Sequence, residues 1–285
     1  MLKFGVSMFF TDYSMGPGEL GRALESRGFE SLWAPEHSHI PLTRKSPFPG
    51  GGDLPKKYYD CMDPFVTLTA AAMATTTLKV GTGICLIQQR DPIQTAKLVA
   101  SIDQVTGGRF LFGVGNGWNQ DEMENHGTEF KSRHKRAREN VEAMKEIWTK
   151  STASYDGEIV KVPPMMTWPK PVQKPNPPVL VGGAFPYSAR RAIAYGDGWL
   201  PSGNVTETIP VFRRMVAEAG RDPASMPITV WYPERDVALI RQYADLGVDR
   251  VVFTVPSAQA DVVFPALDEI GGIMAAVSGL TSAAG

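Results

Sequence analysis

The sequence has few of the residues that cross-link a chain, anchor it in a membrane or give it a strong charge. It contains two cysteines and four histidines among its 285 residues, and no apolar run long enough to cross a bilayer. Its 29 lysines and arginines are balanced by 30 aspartates and glutamates, for a formal net charge of −1. The sequence therefore predicts no disulfide framework, no membrane span and no positive field for nucleic acid.

What is present is typical of a globular cytoplasmic protein. Hydrophobic residues make up 43% and charged residues 21% of the chain, close to the average for soluble domains. Residues 1–6 lack the basic and apolar segments of a signal peptide. We therefore expect a cytoplasmic protein that binds a small-molecule substrate, with neither nucleic acid nor a membrane as a partner.

Short apolar runs alternate with longer amphipathic segments about eight times, a pattern typical of strand–helix units on a parallel sheet. Strands are predicted at residues 3–9, 31–34, 79–86, 109–114, 178–181, 198–201, 228–231 and 250–254. Helices are predicted at residues 17–27, 62–75, 92–106, 134–150, 187–195, 206–219, 234–246 and 258–270. This order predicts an α/β fold, a closed (β/α)8 TIM barrel that forms one domain over residues 1–285.

Two stretches are too long for ordinary connections. Residues 36–61 follow the second strand, and residues 152–177 follow the fourth helix. Loops after barrel strands form the catalytic rim, so the first insertion is expected to form part of a substrate lid. The second is expected at the opposite end of the barrel unless it doubles back. We expect both insertions to influence which substrate is chosen.

Polar residues follow the second strand, where Glu36, His37 and His39 would stand on the catalytic rim. One alternative is that they are ordinary loop residues. Another is that the two histidines are a metal-ligand pair, as in barrel hydrolases. The remaining histidines, His126 and His134, lie in or beside the helix that follows the fourth strand. They do not complete a ligand set on other strand ends, so we expect no metal.

Glycine-rich turns mark places where a backbone can approach a ligand closely. Residues 113–118, GVGNGW, carry tryptophan where a dinucleotide fingerprint has its third glycine. Residues 182–184 precede a helix, where backbone N–H groups can bind phosphate, although a simple loop fits equally well. Two glycines in residues 79–86 predict a bulge. The basic residues at 131–138 are either a solvated helix face or a dock for an anionic cofactor tail.

Taken together, these segments resemble the luciferase-like monooxygenase superfamily, particularly its branch dependent on the deazaflavin coenzyme F420. The resemblance covers nearly the whole chain. The matching segments are GFESLW at 28–33 with Glu36-His37, LKVGTGI at 78–84 with Asp91-Pro92, DQVTGGRF at 103–110, GVGNGW at 113–118, PPVLVGG at 177–183 and GDGWL at 196–200.

The resemblance implies an oxidoreductase that transfers hydride between coenzyme F420 and a small organic substrate at the carboxyl-terminal mouth of the barrel. It implies that His37 is the catalytic residue and exchanges a proton or hydrogen bond with substrate. It also implies a non-proline cis peptide bond between Gly83 and Ile84, and a homodimer. The implied cofactor-binding residues are Glu36, Gly83, Ile84, Asn116, Gly182, Gly183 and Ala184, with the phosphate near the last three.

One position departs from the pattern. Sugar-phosphate and alcohol dehydrogenases of the F420 branch carry a catalytic glutamate where this chain has Trp118. The tryptophan argues against sugar phosphates and alcohols as the substrates of this protein. Trp118 and His39 are instead the candidate substrate-binding residues, and Trp118 can stack on an apolar or aromatic substrate.

Two alternatives keep the same fold. In one, FMN replaces F420, and the protein is a monooxygenase that uses molecular oxygen and a partner flavin reductase. In the other, the barrel only binds or stores a flavin without catalysis. The basic residues at 131–138 favour F420, because that coenzyme ends in a polyglutamate tail, although the phosphate of FMN also attracts cations.

Overall fold

The structure, a computed structural model, describes residues 1–279. The strands are β1 (Lys3–Ser7), β2 (Ser31–Ala34), β3 (Lys79–Thr82), β4 (Cys85–Leu86), β5 (Phe110–Gly115), β6 (Ala153–Asp156), β7 (Lys161–Met165), β8 (Val179–Gly182), β9 (Gly198–Leu200), β10 (Thr229–Trp231) and β11 (Arg250–Thr254). The α-helices are α1 (Pro17–Ser26), α2 (Lys57–Asp60), α3 (Pro64–Met73), α4 (Pro92–Val105), α5 (Gln120–Asn125), α6 (Arg133–Thr149), α7 (Tyr187–Tyr195), α8 (Thr208–Glu218), α9 (Val237–Asp245) and α10 (Ala260–Ser278).

The parallel strands close into a barrel. They run in the order β10, β11, β1, β2, β3, β5, β8, β9, and parallel bridges from Trp199 to Ile228 and from Ser202 to Trp231 join β9 to β10. Every residue of β5 and β8 is buried, as expected for strands covered by helices on one side and by the barrel core on the other. The predicted (β/α)8 barrel is confirmed.

Two layers of side chains hold the barrel together. The larger apolar cluster lies between the strands and the surrounding helices. A smaller cluster fills the barrel interior, where side chains from alternate positions of the strands meet. Its members are Trp33, Leu111, Leu180, Leu200, Trp231 and Val252, with Ile84 packed against them. This inner plug forms the base on which the mouth of the barrel is built.

Glycine at position 113 is required by the close approach of β3 to β5. A Cβ added to Gly113 would lie 2.0 Å from the Thr82 carbonyl oxygen, and a backbone atom cannot rotate away. We expect Gly113→Ala to lower the free energy of unfolding by about 2 kcal/mol, measured by urea denaturation. Gly271→Ala is the control, because Gly271 lies inside α10 with nothing near its Cβ position. That variant is expected to gain about 0.5–1 kcal/mol, and equal losses in both would contradict the steric argument.

The predicted third strand is interrupted. The peptide bond between Gly83 and Ile84 is cis, as the resemblance implies. It separates β3 from β4, which pairs with the upper part of β5 through Cys85 and Leu86. The predicted strand is therefore split into β3 and β4 at the place where the sequence predicts a bulge.

The other differences lie in short or solvent-facing elements. The sequence did not predict α2, α5 or the antiparallel hairpin of β6 and β7, because elements this short carry little periodicity. The last helix extends to Ser278, beyond the predicted end at residue 270. Among residues 1–279, no helix combines the length and apolar character needed to cross a membrane.

The two insertions occupy different places. Residues 36–61 contribute to the mouth of the barrel, as predicted. Residues 152–177 instead pack along α4, where Gln104 donates to the Lys170 carbonyl over 2.7 Å and Gln173 donates to Asp103. None of these later residues lines the cavity at the mouth within the described chain. The expectation that the second insertion influences substrate choice stays a prediction.

Candidate active site

A cavity of about 710 Å³ opens at the carboxyl ends of the barrel strands. It collects most of the residues that the sequence singled out, from the ends of β2, β3, β5 and β8. The predicted residues that line it are Glu36, His37, Gly83, Ile84, Trp118, Gly182, Gly183 and Ala184. The mouth of the barrel therefore brings together the candidate catalytic residue, the cis peptide and the glycine turn.

His37 forms a buried pair with Glu122. Its Nδ1 lies 2.8 Å from Glu122 Oε2, and the two side chains are 7% and 1% exposed. The backbone N–H of Ser38 donates to the other oxygen of Glu122 over 3.2 Å. Because an ionised carboxylate can only accept hydrogen bonds, Nδ1 carries the hydrogen. The other ring nitrogen, Nε2, is then the atom with which His37 can exchange a proton.

The sequence did not identify Glu122. It lies in the first turn of α5, where a carboxylate interacts favourably with the helix dipole. The only signal was an acidic pair, Asp121-Glu122, shortly after the end of a barrel strand. The resemblance pointed instead to the position of Trp118, one helical turn earlier.

Helix α5 also holds the insertion that follows β2. The Lys45 backbone N–H donates to Asp121 over 2.7 Å, and the Lys45 ammonium pairs with Glu124. The insertion is therefore fastened to the helix that fixes His37.

Glu36 lines the cavity, but both its oxygens are occupied. One accepts the Leu86 N–H over 2.7 Å, and the other accepts Arg90 Nε over 2.6 Å. Arg90 also donates to Asp63 over 2.9 Å. These bonds attach the end of β2 to β4, directly after the cis peptide. Glu36 thus shapes the cavity floor, and its role in cofactor binding stays a prediction.

His39 and Asn116 lie outside the cavity lining. His39 Nε2 is 2.9 Å from Asn125 Oδ1, and its ring lies against His126. His37 and His39 therefore have different partners and do not form a pair. Asn116 is buried, with its Nδ2 3.5 Å from the Arg133 carbonyl oxygen. The structure does not bring either residue to the predicted substrate or cofactor position.

An aromatic wall, which we define as Phe48, Tyr58 and Trp118, stands beside His37. The His37 ring centroid lies 5.4 Å from that of Tyr58 and 6.1 Å from that of Trp118. Phe48 contacts both, at 5.1 Å and 5.8 Å. Phe48 and Tyr58 come from the irregular insertion, so no periodic pattern marked them in advance. The wall gives the acid–base residue an apolar surround.

The glycine turn lies on another side of the cavity, next to Arg191. Gly183 has φ of +125°, and a Cβ there would lie 3.2 Å from an Arg191 terminal nitrogen. Ser188 in α7 donates to the Gly183 carbonyl over 2.6 Å, which fixes the turn at the start of the helix. The buried Nε atoms of Arg191 and Arg133 have no hydrogen-bond partner within residues 1–279.

Arg191 also lines a second cavity of about 420 Å³ between α6 and α7, which we call the cationic groove. No aspartate or glutamate is among the described residues that line it, although Lys135 pairs with Glu158 and Arg138 lies near Glu142. Its charged lining residues are Lys135, Arg138, Arg190 and Arg191, beside His134. Burial, with the charges of Arg133 and Arg191, lowers the pKa of His134 to about 4, so His134 is neutral at pH 7.

These features define a (β/α)8-barrel protein with a polar pair and a cofactor-sized cavity at the catalytic end. The chain belongs to the luciferase-like monooxygenase family, whose model matches residues 17–250.

Relatives in this family carry different cofactors in their names. An uncharacterized protein of Mycobacterium tuberculosis is 38% identical, covering 91% of this chain and 94% of its own. The F420-dependent hydroxymycolic acid dehydrogenase of the same organism is 26% identical, covering 72% of this chain and 54% of its own. The FMNH2-dependent dimethylsulfone monooxygenase of Pseudomonas putida is 34% identical over 50% of this chain and 40% of its own. The family thus includes both F420-dependent and FMN-dependent relatives.

The fold is also that of solved structures. An F420-dependent secondary alcohol dehydrogenase superposes with a TM-score of 0.75, covering 97% of this chain and 99% of its own, at 19% sequence identity. At this identity the likeness shows the shared fold.

Proposed function

We propose that the protein is an oxidoreductase that binds coenzyme F420 at the mouth of the barrel and exchanges hydride between it and a small organic substrate. The cationic groove is the observation that favours F420 over FMN as the coenzyme. Arg191 lies beside the glycine turn and also lines the groove, so an anionic tail that leaves a phosphate at the turn would meet the groove there. A homodimer is a further prediction from the resemblance, and a cytoplasmic location and a single domain over residues 1–285 are further predictions from the sequence.

The residues at the turn fit an anionic group. Gly183 has a backbone conformation that favours glycine, which leaves the turn without a side chain of its own. The buried Nε atoms of Arg191 and Arg133 lack partners in the described chain, and an unsatisfied buried donor costs about 1–3 kcal/mol. A phosphate accepted at the turn would give Arg191, whose terminal nitrogen lies beside Gly183, an anionic partner.

The chemistry then divides between coenzyme and protein. Coenzyme F420, when bound, supplies or accepts a hydride. His37 Nε2 takes a proton from the substrate oxygen when the adjacent carbon loses hydride, and the imidazolium so formed gives that proton back when the carbon gains hydride. Glu122 holds the Nδ1 hydrogen and keeps the ring oriented. The aromatic wall excludes water from the reacting groups.

A second candidate is an FMN-dependent monooxygenase that uses molecular oxygen and a partner flavin reductase. The FMN-dependent relative favours it, and the glycine turn suits the phosphate of FMN as well as that of F420. The cationic groove separates the two candidates, because FMN ends at its phosphate and leaves the groove unused.

The test is a parallel fluorescence titration of the purified protein with F420 and FMN at fixed salt. Wild-type protein is expected to bind F420 more tightly than FMN. Replacing Arg138 and Arg190 with alanine is expected to weaken F420 binding roughly fivefold and to leave FMN binding unchanged, because two exposed charge contacts are lost. Both residues line the groove.

Lys131→Ala is the control, since Lys131 is an exposed member of the same basic segment and does not line the groove. An equal loss in this variant would mean that the effect is one of overall charge. Tighter binding of FMN than of F420 by wild-type protein would overturn the proposal and favour the monooxygenase.

A further inference from the structure

We infer that the substrate is an uncharged molecule with an apolar ring and a single carbonyl-type oxygen. This inference rests on the proposed function, because it concerns the part of the cavity beside His37, away from the glycine turn and the cationic groove. The site must meet three demands of such a molecule: a flat apolar surface, neutral hydrogen-bond donors and no unpaired charge.

The aromatic wall provides the apolar surface. Phe48, Tyr58 and Trp118 each line the cavity and are each partly exposed, so their ring faces and edges are available to a ligand. Successive ring centroids, with His37 completing the set, lie 5.1–6.1 Å apart. Such spacings are those of tilted aromatic contacts. A ring-containing substrate would extend this packing directly onto the acid–base residue.

The cavity offers no cation to an anionic substrate. Among the described residues that line it, Glu36 is the only carboxylate and no lysine or arginine is present. Arg90 behind Glu36 is already paired with Glu36 and Asp63. The Lys57 ammonium lies 5.0 Å from the Phe9 ring but does not line the cavity. A phosphate or carboxylate placed beside the wall would thus lose its water without gaining a partner.

Besides Glu36, whose two oxygens already accept hydrogen bonds, the lining includes the hydroxyl-bearing residues Tyr58 and Tyr232. Burial raises the pKa of the Tyr58 hydroxyl, and burial raises that of Tyr232 to about 12. Both hydroxyls therefore stay protonated at physiological pH. Tyr232 has φ of 56°, a conformation that bulky residues rarely adopt. Its ring packs against Trp231 at 5.1 Å in the cavity lining. Each hydroxyl can donate a hydrogen bond to a carbonyl oxygen in the cavity that His37 also lines.

The test compares two ketones of nearly the same shape, para-methylacetophenone and para-acetylbenzoate, by isothermal titration calorimetry on the protein with saturating coenzyme. The neutral ketone is expected to bind saturably. The carboxylate is expected to bind roughly 100-fold more weakly, because a buried charge without a partner costs several kcal/mol. Trp118→Ala and Tyr58→Ala are expected to weaken binding of the neutral ketone about tenfold each.

Tyr59→Ala is the matched control, since Tyr59 neighbours Tyr58 but is 52% exposed and does not line the cavity. It is expected to leave ketone binding unchanged. Tyr58→Phe keeps the ring and removes only the hydroxyl, so it is expected to weaken binding of the neutral ketone less than Tyr58→Ala does.

Two outcomes would overturn the inference. Equal or tighter binding of para-acetylbenzoate would mean that the site holds an available cation. No binding of the neutral ketone to protein that does bind coenzyme would mean that the wall does not receive such a ring. Failure of the proposed function is read separately, as absence of F420 binding in the titration without ketone.

Discussion

Replacing His37 with alanine is expected to lower kcat by about 10²- to 10⁴-fold, the usual contribution of a positioned acid–base group. The reason is geometric. His37 is 7% exposed and held by Glu122 through Nδ1. It lines the same cavity as the glycine turn and the cis peptide. The measurement is single-turnover and steady-state hydride transfer with F420 and a neutral ketone. Coenzyme affinity, measured by titration, is expected to remain that of wild type.

His39→Ala is the control for this experiment. His39 stands two positions along the same loop, bonds to Asn125 and lies outside the cavity lining. It is expected to retain wild-type turnover. Unchanged turnover in His37→Ala would remove His37 from the mechanism. Absence of turnover in wild-type protein that binds coenzyme would favour a barrel that only stores a flavin.

Glu122→Gln is expected to lower kcat by about 10²-fold without loss of fold, because the side chains have nearly the same shape. The glutamine amide can donate a hydrogen bond to Nδ1, which the carboxylate cannot. That donation places the ring hydrogen on Nε2 and removes the proton acceptor from the cavity side. Nitrogen chemical shifts of His37 measured by NMR report which ring nitrogen is protonated. They are expected to change in this variant alone.

Glu124→Gln provides the comparison on the same helix. Glu124 is partly exposed and pairs with Lys45 rather than with His37. Its replacement is expected to leave the His37 tautomer and kcat unchanged. A large loss of kcat in Glu122→Gln with unaltered His37 nitrogen shifts would show that Glu122 supports the fold and does not set the tautomer.

The barrel was predictable from the sequence because its strands are buried on both sides and therefore appear as repeated apolar runs. The position of His37 was predictable for a related reason, since it follows a strand whose carboxyl end faces the mouth. Glu122 was not, because α5 spans only residues 120–125 and is too short to show a helical period. Phe48 and Tyr58 lie in an insertion where no period applies at all.

His39 shows where reasoning from strand geometry stops. In an extended strand, residues 37 and 39 would point to the same side. The strand β2 ends at Ala34, however. Beyond it, hydrogen bonds to α5 determine the path of the chain. The His37 and His39 side chains therefore turn to Glu122 and Asn125. Which of the two enters the cavity depends on tertiary contacts that the local sequence does not encode.

The attachment of the first insertion to α5 has a consequence for redesign. Asp121 and Glu124 hold Lys45, while Glu122 holds His37, so one short helix secures both the aromatic wall and the acid–base group. On the proposed function, substrate choice and proton transfer therefore depend on the same helix. A foreign loop grafted in place of residues 36–61 therefore needs the α5 that matches it. Without that helix, we expect His37 to be misaligned.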